Sequence, residues 1–145
     1  MLEDYRRYPM GIQNFEQLRT LECVYVDKTA LVYRLTHTDR FYFLSRPRRF
    51  GKSLLVSTLE AYFQGKKELF QGLAMERLEQ EWENYPVLHI DFSLTKYTEL
   101  QDLTGQLNLF LHRWEEIYGK DEAEKSAAER FQGITSGSLR ARPLS

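Results

Sequence analysis

The chain has 145 residues, enough for one small domain or for a piece of a larger one. Hydrophobic residues make up 42% and charged residues 28%, which excludes an intrinsically disordered composition and allows a core of fair size. A net charge of -1 argues against a general nucleic-acid coat, which needs a basic surplus, and leaves nucleic acid as a partner not indicated by charge. Cys23 is the only cysteine, so no intrachain disulfide can form. The opening MLEDYRRYPM has early acids and no apolar h-region. Every apolar run falls far short of the roughly 20 residues that cross a bilayer. The expectation is a cytoplasmic protein.

Asn14, with Gln17 three residues later, predicts a helix start that places Phe15 and Leu18 on one face. Cys23-Val24-Tyr25-Val26 reads as a short strand. Asp27 occupies an N-cap position, Val26 and Leu31 are spaced as a hydrophobic staple, and the helix should run to about Leu35. Phe41 to Leu44 reads as an apolar strand. A helix then carries Leu55, Leu59, Tyr62 and Phe63 as one stripe, and Gly65 ends it. A second helical stretch is expected from Lys67 to Leu78, weakened by Gly72. Pro86 opens a strand, Val87 to Phe92, with Asp91 near its end. From about Glu99 to Tyr118, the residues Leu100, Leu103, Leu107, Phe110, Leu111, Trp114 and Ile117 recur at helical spacing. Lys120 to Glu129 holds room for one more helix, and Gly133 to Ser145 reads as an irregular tail. Strands alternating with helices predict an α/β architecture with a mainly parallel sheet flanked by helices.

The strongest chemical signal lies between the strand at Phe41–Leu44 and the helix that follows. A phosphate-binding loop needs inward-facing amides, a helix N-terminus, a lysine for the terminal phosphates and a hydroxyl for magnesium. Gly51 permits close approach of the backbone, and Lys52 and Ser53 fall where the first turn should be. The spacing G-x-x-x-x-G-K-[ST] would place glycine at position 46, where this chain has Arg46, so the strict motif fails. Pro47 would stiffen the loop, and Arg46, Arg48 and Arg49 add positive charge. The competing reading is an ordinary strand-to-helix turn with a solvated basic cluster.

The blocks Gly11-Ile12-Gln13-Asn14-Phe15, Tyr25-Val26-Asp27-Lys28-Thr29 and Arg46-Pro47-Arg48-Arg49-Phe50-Gly51-Lys52-Ser53 resemble the bacterial AAA-ATPase-like family. Leu69-Phe70-Gln71-Gly72-Leu73 and Pro86-Val87-Leu88-His89-Ile90-Asp91-Phe92-Ser93 resemble it too, and the likeness covers roughly residues 9 to 132. The resemblance implies that RPRRFGKS stands in for the Walker A loop. Nucleotide phosphate would then be held by Arg46, Pro47, Arg48, Arg49, Phe50, Gly51, Lys52, Ser53 and Leu54. It also implies ATP and Mg2+ as cofactors, Lys52 as the catalytic cation and Ser53 as the metal ligand. Residues 1–132 would be the N-terminal part of a P-loop domain and 133–145 an irregular tail. Members of the family continue into a strand ending in an Asp-Glu pair, the Walker B element, and many carry a nuclease-like domain of the PD-(D/E)XK type. Neither is found in this sequence, so the expected fold is a partial P-loop NTPase with central strands missing, truncated before Walker B and impaired in hydrolysis.

Other residues carry two readings each. Asp91 could touch magnesium or water, or cap the strand end. Asp27-Lys28-Thr29 could approach the nucleotide base, or cap a helix, and the local pattern favours the cap. His37, His89 and His112 are too scattered for zinc. Tyr62, Phe63, Trp82 and Trp114 read as core packing. The alternative function is a non-catalytic anion or nucleic-acid module built on the basic loop from Arg46 to Lys52, and a third reading is a remnant without activity. The strands lacking neighbours should expose unpaired backbone, favouring self-association through a sheet edge.

Overall fold

A computed structural model describes residues 6–94, 96, 98–118 and 126–140, the side chains of 135–140 excepted. The expected parallel sheet is not there. Among these residues no strand forms, and the isolated bridge pairs Arg7 with Cys23 in parallel. The architecture is helical: α1 (Phe15–Thr20), α2 (Thr29–Thr38), α3 (Lys52–Phe63), α4 (Ala74–Leu78), α5 (Leu100–Tyr118) and α6 (Ala127–Arg140). Short 3-10 turns lie at Lys67–Phe70 and Phe92–Leu94. The segments Cys23–Val26, Phe41–Leu44 and Val87–Phe92 have the residue types of strands, but a strand exists only in a ladder. Propensity alone supplies no partner: among the described residues the first segment makes the isolated bridge of Cys23 to Arg7, and Phe41–Leu44 and Val87–Phe92 enter no ladder. The alternation of strands and helices, and the P-loop sheet inferred from it, are therefore corrected.

The chain divides into two compact units, Met1–Val87 and Leu88–Ser145. In the first, Asn14 caps α1 as expected, its side-chain oxygen accepting the Gln17 amide at 3.0 Å. Phe15 and Leu18 are buried, again as expected. Phe15, Val32, Ala61, Phe70, Leu73 and Met75 form the core, with Leu55, Leu59 and Tyr62 of α3 packed on it. Rings fill it at an angle: Phe70 lies 4.9 Å from Phe15 and 5.1 Å from Trp82, centroid to centroid. Tyr62 adds a polar handle, its hydroxyl donating to Glu79 Oε2 at 2.5 Å. Burial, then that carboxylate, push the Tyr62 pKa up.

Several boundaries moved for identifiable reasons. α2 starts at Thr29 and runs to Thr38, beyond the expected Leu35. The staple is not made, since Val26 and Leu31 are both exposed. The single helix expected over 67–78 is broken in two. Gly72 takes φ +78°, a left-handed turn that reverses the chain between the 3-10 turn and α4.

In the second unit, α5 is the long helix its spacing foretells, and Phe110, Leu111 and Trp114 are buried with Ile134 of α6. Ile117, expected on that stripe, is exposed. Glu115 lies among the apolar residues, its side chain 3% exposed, and takes two bonds from the Arg130 guanidinium at 2.6 and 2.9 Å. A carboxylate so placed is tolerable only because that planar fork satisfies both oxygens. Residues 119–125 and 141–145, which hold most of the segment read as an extra helix and the end of the tail, lie outside the described residues. Over 133–140 the irregular tail is corrected to helix, the continuation of α6.

Candidate phosphate-binding loop

The loop from Arg46 to Gly51 joins an irregular segment to α3, and every residue from Phe41 to Ser53 is exposed. Gly51 is the N-cap of α3 in left-handed geometry, φ 77° and ψ 16°. The first bond of the helix runs from Leu55 N–H to the Gly51 carbonyl at 3.0 Å. No side chain caps the helix. Among the described residues, no acceptor meets the amides of Lys52, Ser53 and Leu54. The positive end of the helix dipole is thus open, with a lysine and a hydroxyl on its first turn.

The turn before it is shaped by its own chain. Arg46 Nη1 donates to the Phe50 carbonyl at 2.9 Å, closing the loop where the usual motif has glycine. Arg49 and Gly51 both have positive φ, 65° and 77°, with Phe50 between them. Such alternation turns successive amides toward one side, the backbone basis of an anion-binding concavity. A Cβ on Gly51 would meet only Arg46 Nη1 at 3.9 Å, so backbone sign and not space calls for glycine there. Opposite stability effects follow at the two positions. Arg49→Gly should stabilise the first unit by about 0.5–1 kcal/mol, whereas Gly51→Ala should destabilise it by about 1 kcal/mol. Thermal melting of the two variants checks both signs.

The residues read as neighbours of the loop have other work. Asp27 Oδ1 accepts the Thr29 amide at 2.9 Å and the Thr29 hydroxyl at 2.6 Å, and its Oδ2 accepts the Ala74 amide at 2.7 Å. The Thr29 oxygen accepts the Met75 amide at 3.0 Å. Partial burial opposes ionisation of Asp27, but the bonds from Thr29 and Ala74 outweigh it and hold its pKa below the usual range. Asp27 is not itself the N-cap of α2, which is Lys28 without a side-chain cap bond; one residue earlier, its carboxylate takes the first amides of both α2 and α4. Asp91 is likewise engaged, accepting the Ser93 amide at 2.8 Å and hydroxyl at 2.6 Å as a turn cap. It belongs to the second unit, whereas the loop belongs to the first. Among the described residues no group of three or more His, Cys, Asp or Glu is placed to hold a metal ion.

Sequence reasoning missed the clasp to Ala74 and Met75, because its partners are 46 and 47 residues apart. It also missed Arg19, which bonds the carbonyls of Leu69 and Gln71 at 2.7 and 2.6 Å. Beside Arg19 lies a cleft of about 590 Å3, edged by Arg7, Glu22, Tyr25 and Gly72.

A left-handed glycine, an open helix start and a Lys-Ser pair are general features, and relatives decide the family. The family model described as predicted AAA-ATPase matches residues 9–142. The chain belongs to the AAA-ATPase-like family. A protein of Azotobacter chroococcum mcd 1 described as "Uncharacterized protein in vnfD 5'region" is 37% identical to this AAA-ATPase-like chain over 130 residues. That stretch is 87% of this chain and 25% of the other, so the chain spans about a quarter of the length of the curated relative it matches. No solved structure matches the chain. Among the described residues no helix is long and apolar enough to cross a membrane.

Proposed function

We propose that this AAA-ATPase-like chain binds ATP through the loop Arg46–Ser53, in the role of a Walker A element. The observation that carries the reading is the open N-terminus of α3 behind Gly51, with Lys52 and Ser53 on its first turn. The phosphates would meet the amides of Lys52, Ser53 and Leu54. The Lys52 ammonium would sit at the terminal phosphates, and Arg46, Arg48 and Arg49 would add charge at the rim. Binding of this kind uses position and charge alone. The residues fit an anion better than a bare cation. The Ser53 hydroxyl is the single metal oxygen offered here, so Mg2+ would arrive with ATP, and its other ligands would be phosphate and water. Bound, the metal offsets phosphate charge.

Lys52→Ala should abolish ATP binding while leaving helical content unchanged, because Lys52 is exposed and caps nothing in the core. Nucleotide titration with circular dichroism checks this, and unchanged affinity for ATP would sink the proposal. Slow turnover by this chain alone is part of the same reading, since Asp91 is engaged by Ser93. The exposed rings of Phe41, Phe43 and Phe50 beside the arginines favour a second reading, in which the loop holds single-stranded nucleic acid. Salt separates the two: steep weakening of oligonucleotide binding with salt, together with no response to ATP, supports the second.

A further inference from the structure

Arg46 stands at the one position where this chain departs from G-x-x-x-x-G-K-[ST], and its side chain folds back over the turn that follows. Its Nη1 reaches the Phe50 carbonyl at 2.9 Å, and the same nitrogen lies 3.9 Å from the place a Cβ on Gly51 would take. The guanidinium therefore rests against the backbone just ahead of Lys52 and Ser53. Its bond does two things to the turn. It ties position 46 to position 50, so Pro47, Arg48 and Arg49 cannot spread apart without breaking it. It also covers a carbonyl oxygen whose partial negative charge would oppose an anion beside the amides that follow. Such a bond is charge-assisted and stronger than a neutral one, and the planar head keeps further N–H donors. Pro47 biases the residue before it toward extended backbone, which restricts the point from which the arginine side chain starts.

We propose that Arg46 is a positioning residue of the ATP site, holding the turn 46–51 in its anion-binding shape through the Phe50 carbonyl. The proposal rests on the reading of this loop as a Walker A element. In the usual motif a glycine at this position gives the backbone freedom to wrap the phosphates. Here a side-chain bond supplies the closure instead. Arg48 and Arg49 differ from Arg46 in this respect, since among the described residues neither bonds the backbone of the turn. They act by charge alone. A turn that its own chain closes loses less conformational entropy on taking up phosphate, so the bond should register as affinity for ATP and not as stability of the fold. Restoring the consensus glycine should then harm the site.

Arg46→Gly completes the strict motif and is the deciding variant. Arg48→Gly is its match: it removes the same charge and adds the same backbone freedom to the same loop, leaving the bond to Phe50 in place. Titration of the chain with ATP and Mg2+ should show binding weakened roughly tenfold or more in Arg46→Gly, against about twofold to threefold in Arg48→Gly. The gap between the two should persist at high salt, because it comes from backbone shape and not from attraction across solvent. Circular dichroism should show wild-type helical content in both, since both side chains are exposed. Binding by Arg46→Gly as tight as that of the wild type, or tighter, would overturn the proposal. So would equal losses in the two variants, or a gap that salt closes, either of which makes Arg46 one rim charge among three. A wild-type chain that binds no ATP would sink the reading of the loop itself, and this inference with it.

Discussion

Glu115→Ala is expected to destabilise the second unit by about 3 kcal/mol, the cost of removing one member of a buried ion pair. The bonds lost are the two from Arg130, at 2.6 and 2.9 Å, and the guanidinium that made them is itself only 16% exposed. Arg130 also donates to Asn108 Oδ1 at 3.0 Å, a neutral acceptor. The pair bridges α5 and α6, so the loss should open the contact that buries Phe110, Trp114 and Ile134. Glu115→Met combined with Arg130→Leu should cost far less than Glu115→Ala alone, since apolar residues of similar volume replace a charge pair nearly without penalty. Thermal melting of the single and double variants decides. A double variant as unstable as the single one would show that packing, and not charge, holds the helices together.

The second large effect concerns the clasp of the first unit. Thr29→Val keeps the volume of a fully buried side chain and deletes its oxygen. Asp27 then loses its bond from the hydroxyl, and the Met75 amide loses its acceptor in the core. An orphaned buried amide costs about 1–3 kcal/mol, so the variant should melt roughly 5–20 °C lower. Asp27 makes the same clasp sensitive to acid. Its folded-state pKa is lowered, so the stability it contributes is present above the unfolded carboxylate value of about 3.9 and is lost as pH falls through the lowered folded value. Asp27→Asn should therefore flatten the fall in melting temperature below about pH 4. An acid profile that matches the wild type would place the acid sensitivity elsewhere.

Local signals were readable in the sequence, and pairings were not. Asn14 with Gln17 marks a helix start because the cap bond spans three residues, and the 3.6-residue spacing of Leu103, Phe110, Leu111 and Trp114 specifies α5 without outside help. The loop was legible for the same reason: Gly51, Lys52 and Ser53 are adjacent, and the helix begins where they place it. Phe41–Leu44 and Val87–Phe92 misled because β-formers state a capacity for pairing and not a partner. Gly72 reads in the sequence as a weakness in a helix, and its left-handed turn divides the expected helix in two. Arg19, Thr29 and Arg130 do their work through side-chain bonds that join distant segments, and no periodicity reports such bonds.

The reach of those bonds has a kinetic side. Helix α1 packs on α3, and α2 packs on α4, in each case across most of the first unit. Phe15 N–H meets Ser57 Oγ across 42 residues, and Lys66 Nζ meets Glu16 across 50. Little of this unit can be won by neighbours zipping up in turn. The entropy of closing a long loop must be spent before the first such contact forms, so collapse should be slow for a helical chain and all-or-none in character. The turn from Arg46 to Gly51 lies inside that closed loop and takes no part in the contacts that close it. Its shape is therefore set by Pro47, the Arg46–Phe50 bond and two left-handed residues, an arrangement that can flex without unlocking the helices around it.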